Sequence, residues 1–230
     1  MGTKSVPLVE IEVGDDPVSW ASIGFAVDDD GVTQVGQVAV RLVGAHDERG
    51  RGIVGWTLAT ATGAPADDLD GLSTRYAPPV PDDAETPVED RPAAHSNGIV
   101  TLDHLVVMTP DVDRTTEALG AVGVEARRTR AAGAGRQQRF FRLGEVILEV
   151  VGPATPSGDG PATFWGLAFT VIDIDATAAH LSGRIGEPKA AVQAGRRIAT
   201  LRTDDAVSVP IAVMSAVEAP DGGAPGDTSL

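Results

Sequence analysis

The sequence predicts an α+β fold built from tandem modules, each with the order strand, helix, three strands (βαβββ). Three observations predict it. Residues 102–107, LDHLVV, and residues 146–151, VILEVV, are apolar strand-like runs about forty residues apart. Between them lie an Asp-rich helix start at Asp111 and two further strand-like runs. A second Asp-rich helix start, at Asp173, follows at an offset of 62 residues, as two tandem copies would give.

The elements of the first stretch are less regular. Residues 6–13 resemble a strand, and Asp16 with Pro17 marks the start of a short helix at 18–23. Further strand-like runs follow at residues 25–27, 32–43 and 53–59. We therefore predict a degenerate βαβββ-like module at residues 1–62.

Two segments have a composition that favours no packed structure. Residues 63–97 are rich in Pro, Ala and Asp, and residues 217–230 are rich in Pro and Gly. Such segments bury little apolar surface. The first is predicted to be an extended linker and the second a disordered tail.

The most regular part is residues 98–216, predicted as paired βαβββ modules at 98–153 and 164–216. In each module an aspartate, Asp111 or Asp173, precedes the helix. An aspartate at this place accepts hydrogen bonds from unpaired backbone amides and complements the positive end of the helix dipole. We therefore interpret both aspartates as helix caps rather than catalytic acids.

Composition excludes several classes of function. The formal net charge is −15, and it divides into −11 for residues 1–97, −1 for 98–216 and −3 for the rest. A chain this acidic repels phosphate backbones and anionic lipid, so neither nucleic acid nor a membrane surface is an expected partner. The absence of cysteine excludes disulfides, thiolate catalysis and cysteine-ligated zinc. No run approaches the roughly 18 apolar residues of a membrane span, and we expect a cytoplasmic protein.

These motifs resemble the vicinal oxygen chelate superfamily, which includes glyoxalase, bleomycin-resistance and extradiol dioxygenase proteins. The resemblance rests on residues 102–107 before Asp111, and on residues 140–144, FFRLG, leading into residues 146–151. It covers about residues 98–216 and extends weakly to 6–62. It implies that paired modules form curved mixed sheets, an open barrel around a cavity. In metal-dependent members a divalent ion lies there, held by His, Gln or Glu of first and last strands.

Carried over by position, the resemblance implies that His104 and Glu149 are metal ligands of one module. At the 62-residue offset the partner module offers Gly166 and Ala212, which have no metal-binding side chain. A catalytic metal normally has at least three protein ligands. One reading is therefore a divalent ion (Zn, Ni, Mn or Fe) at His104 and Glu149. The other is that His104 is a polar residue of the cavity wall, hydrogen-bonded to Glu149.

Strand alternation adds candidates for ligand binding. If His104 faces the cavity, Leu102 and Val106 share its face, and Ile147 shares the face of Glu149. Six arginines lie within sixteen residues, at 127, 128, 130, 136, 139 and 142. In one reading they are solvated charges at the sheet edge that complement the acidic N-terminal region across an internal interface. In the other, one of them, Arg139, binds an anionic ligand. The predicted ligand-binding residues are His104, Arg139, Phe141, Ile147 and Trp165.

Three functional hypotheses follow. The first is a glyoxalase-like lyase or dioxygenase in which a metal polarises substrate oxygens and Glu149 moves a proton as the catalytic residue. The second is a metal-free protein that binds or sequesters a hydrophobic or anionic small molecule. The third assigns regulation or oligomerisation to the first module, because an odd number of modules leaves a sheet edge unpaired, and it predicts a homodimer.

Overall fold

The computed structural model describes residues 6–46, 48–60, 67–79, 94–202 and 207–216. These residues form two mixed sheets and three helices, which confirms the predicted α+β class. The predicted tail at 217–230 and much of the predicted linker lie outside the described residues. No helix in the described ranges has the length and apolar character needed to span a membrane.

The first half forms a six-stranded sheet in the order β2-β3-β1-β4-β6-β5. Its elements are β1 Leu8–Val13, α1 Pro17–Ala21, β2 Val32–Val35, β3 Val38–Leu42, β4 Ile53–Ala59, β5 Asp68–Leu69 and β6 Leu72–Ala77. In this sheet β1 pairs in parallel with β3 and antiparallel with β4. In turn β4 pairs in parallel with β6.

The second half forms an eight-stranded sheet in the order β12-β13-β14-β11-β7-β10-β9-β8. Its elements are β7 Ile99–Met108, α2 Val112–Ala121, β8 Ala126–Ala131, β9 Arg136–Leu143, β10 Val146–Pro153, β11 Thr163–Val171, α3 Ile174–His180, β12 Lys189–Ala190, β13 Arg197–Thr200 and β14 Ile211–Ser215. Each first strand pairs in parallel with its module's last strand, β7 with β10 and β11 with β14. The two first strands pair antiparallel at the centre.

The helix caps are those that the sequence predicts. The Asp111 side chain accepts hydrogen bonds from the amides of Asp113 and Arg114, both at 3.0 Å. Asp173 accepts from Asp175 at 2.9 Å and from Ala176 at 3.1 Å. The 62-residue offset also holds in the central strand pair, where Val106 lies opposite Gly166 and His104 opposite Ala168. The two modules therefore repeat in register.

The first half differs from its prediction. The strand that pairs in parallel with β1 is β3, so β3 ends the first module and β4 does not. Instead β4 pairs antiparallel with β1, as β11 does with β7, and begins a second unit with β5 and β6. Each half thus contains a pair of units. The reason for expecting a homodimer, an odd module, does not hold, and dimerisation itself stays a prediction.

Part of the predicted linker is also wrong. Strands β5 and β6 lie inside residues 63–97, and β6 extends the first sheet beside β4. Leu72 and Thr74 on alternate positions of β6 are 0% and 2% exposed. Strand β6 is only six residues long and lies within a Pro-, Ala- and Asp-rich stretch. Because the prediction used the average composition of that stretch, it missed the alternation of buried and exposed side chains in β6.

The two halves share a core and a buried polar joint. The ring of Phe169 in β11 packs against Phe25, with centroids 5.4 Å apart. The Asp15 carboxylate, 0% exposed, accepts hydrogen bonds from Trp20 Nε1 at 3.1 Å and from the Ser208 amide and hydroxyl at 3.0 and 2.7 Å. Arg51 forms an ion pair with it at 2.9 Å. Contacts between residues almost two hundred positions apart therefore fix one half on the other.

Candidate functional site

A cavity of about 1120 Å³ lies on one face of the eight-stranded sheet. Residues of both edge strands, β8 and β12, line it together with the central strands β7 and β11. Edge strands at opposite ends of a sheet can border one cavity only if the sheet curves. The curvature produces a concave face without a closed barrel.

Two rows of paired residues cross the floor of this cavity. The first row runs from Arg142 through Ile147 and His104 to Ala168 and Ala212. The second row runs from Arg128 through Phe140, Glu149 and Val106 to Gly166. The first module therefore contributes charged and polar side chains, whereas the central positions of the second module are glycine and alanine.

A β-bulge beside His104 brings two neighbouring residues together. His104 lies opposite Ala168 and Leu102 opposite Phe169, so Asp103 has no partner of its own in β11. The Asp103 Oδ2 atom lies 2.5 Å from Nδ1 of His104, although adjacent residues of a regular strand point to opposite faces. Because of the bulge, Leu102 does not share the face of His104, and the prediction that it faces the cavity is wrong. Its side chain belongs to the core and borders a small crevice beside Pro7 rather than the cavity.

Arg196 holds Asp103 in this position. Its Nη1 atom donates to both carboxylate oxygens, at 2.9 and 3.1 Å, while Nη2 donates to Thr170 Oγ1 and Nε donates to the Ser215 carbonyl. Burial alone raises the pKa of Asp103, but the contacts and charges of His104 and Arg196 outweigh it and lower the pKa to about 2. Asp103 is therefore a carboxylate at any physiological pH.

Glu149 makes a different contact from the one predicted. Its Oε1 atom accepts a 2.6 Å hydrogen bond from Gln138 Nε2, and within the described residues no hydrogen bond joins it to His104. Burial raises the pKa of Glu149, although the charges of His104 and Arg130 and the Gln138 hydrogen bond act in the opposite direction. A proton is therefore held more tightly on Glu149 than on an exposed glutamate.

The raised pKa of Glu149 predicts how stability depends on pH. A carboxyl with a higher pKa in the folded than in the unfolded chain stabilises the fold fully at low pH, and this contribution is lost as the pH rises through the folded pKa. Glu149→Gln, which keeps the size and removes the charge, is expected to raise the free energy of unfolding at pH 8 and to change it little at pH 4. Urea unfolding at the two pH values measures this, with exposed Glu145→Gln as the control. A variant less stable than wild type at pH 8 would contradict it.

The five predicted ligand-binding residues do not all lie in the cavity. His104, Ile147 and Trp165 line the cavity, and Trp165 is 53% exposed. Phe141 borders it but is 1% exposed and packs in the core. The prediction for Arg139 is wrong for this cavity. Arg139 lies on the other face, where it donates to Asp113 and to Thr116 Oγ1, both at 2.8 Å.

Other residues take the place predicted for Arg139. Arg128 lies opposite Phe140 and Arg130 opposite Gln138, which puts both arginines on the cavity face. Within the described ranges none of the six clustered arginines forms an ion pair with a carboxylate of residues 6–79. The predicted pairing of these arginines with the acidic N-terminal region is therefore not found in the described residues. Alternation along β8 and β9 could have identified Arg128, Arg130 and Gln138. Nothing in the sequence connects Arg196 with Asp103.

The cavity residues do not fit a three-ligand metal site. A divalent ion there would be held by His104 and Glu149, yet the described part of the chain has no group of three or more His, Asp or Glu side chains suited to a metal. The register places Gly166 and Ala212 at the matching positions of the second module. A Cβ atom on Gly166 would lie 2.6 Å from the Pro210 carbonyl oxygen, so this position accepts no ligand side chain without a backbone shift.

Comparison with known proteins gives a likeness in structure. No family model matches the chain, and no curated protein matches it in sequence. A variant of 4-hydroxymandelate synthase from Streptomyces coelicolor superposes with a TM-score of 0.58 at 14% identity, over 92% of this chain and 93% of that chain. Methylmalonyl-CoA epimerase from Mycobacterium tuberculosis gives a TM-score of 0.43 at 19% identity, over 54% and 91%. At these identities the likeness concerns the fold alone.

Proposed function

From the premise that this chain has a vicinal oxygen chelate fold, we propose that the cavity of its eight-stranded sheet binds a small organic molecule through protein side chains, without a resident divalent metal. The observation that carries the proposal is the cavity itself, about 1120 Å³ in volume and lined by apolar side chains together with charged and polar ones. Ligand sites of proteins commonly have this character.

The incomplete ligand set supports metal independence. His104 and Glu149 are the two candidate ligands, and each already contacts a protein group, Asp103 or Gln138. The second module supplies glycine and alanine at the matching positions, which leaves room in the cavity for the body of a ligand. This arrangement suits binding or sequestration better than a reaction that depends on a metal.

A cavity-filling variant tests the proposal. The neutral fluorescent probe N-phenyl-1-naphthylamine is titrated into protein freed of metal with EDTA, and we expect saturable binding of one probe per chain. Ala212→Phe, which places a large ring in the cavity, should weaken the probe at least tenfold, or about 1.4 kcal/mol. Ala176→Phe, on the exposed side of α3, should leave the affinity unchanged. Absence of saturable binding, or equal binding by both variants, would overturn the proposal.

A metal-dependent lyase or dioxygenase is the second candidate, since His104 and Glu149 both border the cavity. Elemental analysis after loading with zinc, nickel, manganese or iron(II) separates the two. One ion per chain, lost in His104→Ala, would favour the metal-dependent enzyme. If the proposed function is right, we expect no stoichiometric ion, and metal loading should leave the affinity for the neutral probe unchanged.

Cytoplasmic location stays a prediction from composition.

A further inference from the structure

The charges in the cavity are strongly unequal for so acidic a protein. Among the described residues the cavity is lined by one carboxylate, that of Glu149, and by five cationic side chains, Arg127, Arg128, Arg130, Arg142 and Lys189. The whole chain carries a net charge of −15. A local excess of positive charge within a negative protein attracts a small anion while the remaining surface repels large polyanions.

Two of these cations are positioned to hold an anion. Arg128 and Arg130 share the cavity face of β8, and two residues on one strand face lie about 7 Å apart. Within the described residues neither forms an ion pair or a side-chain hydrogen bond. Guanidinium groups bind carboxylate and phosphate oxygens by paired hydrogen bonds. Phe140 lies between Arg128 and Glu149 in their row, whereas Arg130 lies opposite Gln138, which donates a hydrogen bond to that carboxylate.

Protection of the sheet edge is the ordinary role of charges on an edge strand, and β8 is exposed along its whole length. That role alone does not account for the cavity beside them. Arg128 and Arg130 are on its face, where Phe140 and exposed Trp165 provide apolar surface. Charge and apolar surface thus meet in one concave site.

The central strands of the second module, β11 and β14, and the adjacent β13 line the cavity mainly with apolar side chains: Ala168, Ala212, Ile198 and Met214. The polar residues of this module that line it are Thr200 of β13, and Lys189 and Gln193 at β12 and just after it. Four strand spacings separate β8 from β11, about 19 Å along the curved sheet. A molecule that contacts the arginines of β8 and the apolar residues of β11 and β14 is therefore elongated, with an anionic end and an apolar body. Between them His104 and Glu149 line the floor of the cavity and make that part polar.

We infer that the ligand is an elongated organic acid, with its anionic head group held by Arg128 and Arg130 and its acyl or aryl body lying along the apolar side chains of β11 and β14. This inference rests on the proposed function, since it names the class of molecule that the same cavity binds.

Displacement of the neutral probe tests the inference. Dodecanoate and dodecan-1-ol share a twelve-carbon chain and differ in the head group, and both are used below the concentration at which dodecanoate forms micelles. We expect dodecanoate to displace the probe at least tenfold more tightly than the alcohol does, a difference of about 1.4 kcal/mol. In the double variant Arg128→Gln/Arg130→Gln the advantage should fall to less than threefold, with both competitors measured against the probe affinity of that same variant.

Arg136→Gln is the matched control. Combined with Arg202→Gln it removes the same two charges as the double variant, at exposed arginines that do not line the cavity, and the advantage of dodecanoate should persist. Equal displacement by acid and alcohol, or an unchanged advantage in the double variant, would overturn the inference while probe binding, and the proposed function, stand. Failure of the neutral probe to bind wild type would instead remove the proposed function.

Discussion

Asp15→Ala is expected to lower the free energy of unfolding by about 3 kcal/mol, because it removes the acceptor at the buried joint between the two halves. The Asp15 carboxylate is 0% exposed and is bonded to Trp20, Arg51 and Ser208. After substitution the indole N–H and the Ser208 amide lose this acceptor inside the protein. An unsatisfied buried donor costs about 1 to 3 kcal/mol.

Urea unfolding followed by tryptophan fluorescence measures this effect, since Trp20 lies at the joint. Asp29→Ala is the control, because Asp29 is exposed. Its substitution should change the free energy by less than about 0.5 kcal/mol. A change of similar size in both variants would show that Asp15 does not connect the halves energetically.

Arg196→Met is the second substitution with a large expected effect, also about 3 kcal/mol of destabilisation. It leaves the Asp103 carboxylate, 17% exposed, without its cationic partner beside His104. The neighbouring Arg197 pairs with Asp175 at the surface, with side chains 41% and 66% exposed. Arg197→Met should therefore cost less than about 1 kcal/mol. Comparison of the two adjacent arginines by urea unfolding separates a buried pair from a surface pair.

The pH dependence gives an independent check on Arg196. Asp103 has its pKa lowered from 3.8 to about 2, so its contribution to stability is complete above pH 4 and is lost as the pH falls through 2. The difference in stability between wild type and Arg196→Met should therefore be constant from pH 5 to 7 and shrink below pH 4. A difference that stays the same at pH 2.5 would mean that Arg196 acts by packing alone.

The N-terminal sheet shows where sequence patterns were insufficient. The apolar runs at β1, β3 and β4 were visible, but their pairing was not, because alternation does not specify a partner strand. The predicted module used β4 as its last strand, whereas hydrogen bonding to β1 selected β3. In the second half the modules repeat with one offset, and there the predicted positions of Gly166 and Ala212 agree with the register.

Arg139 illustrates the same limit within the site. Alternation correctly put Arg139 and Phe141 on one face of β9 and Phe140 and Arg142 on the other. Only the pairing of Glu149 with Phe140 decided which of these faces borders the cavity. The sequence showed which residues of β9 share a face, but it did not show which of the two faces would border the cavity.

By itself the sequence determined the α+β class, the tandem modules of the second half, both aspartate caps and the strand positions of His104 and Glu149. Each depends on neighbours within a strand or a helical turn, so local periodicity reveals it. The tertiary structure alone decided the bulge at Asp103, its pairing with Arg196 and the Asp15 joint with Ser208. These contacts join residues 93 and 193 positions apart, and the folding of the sheets, rather than any local preference, brings such residues together.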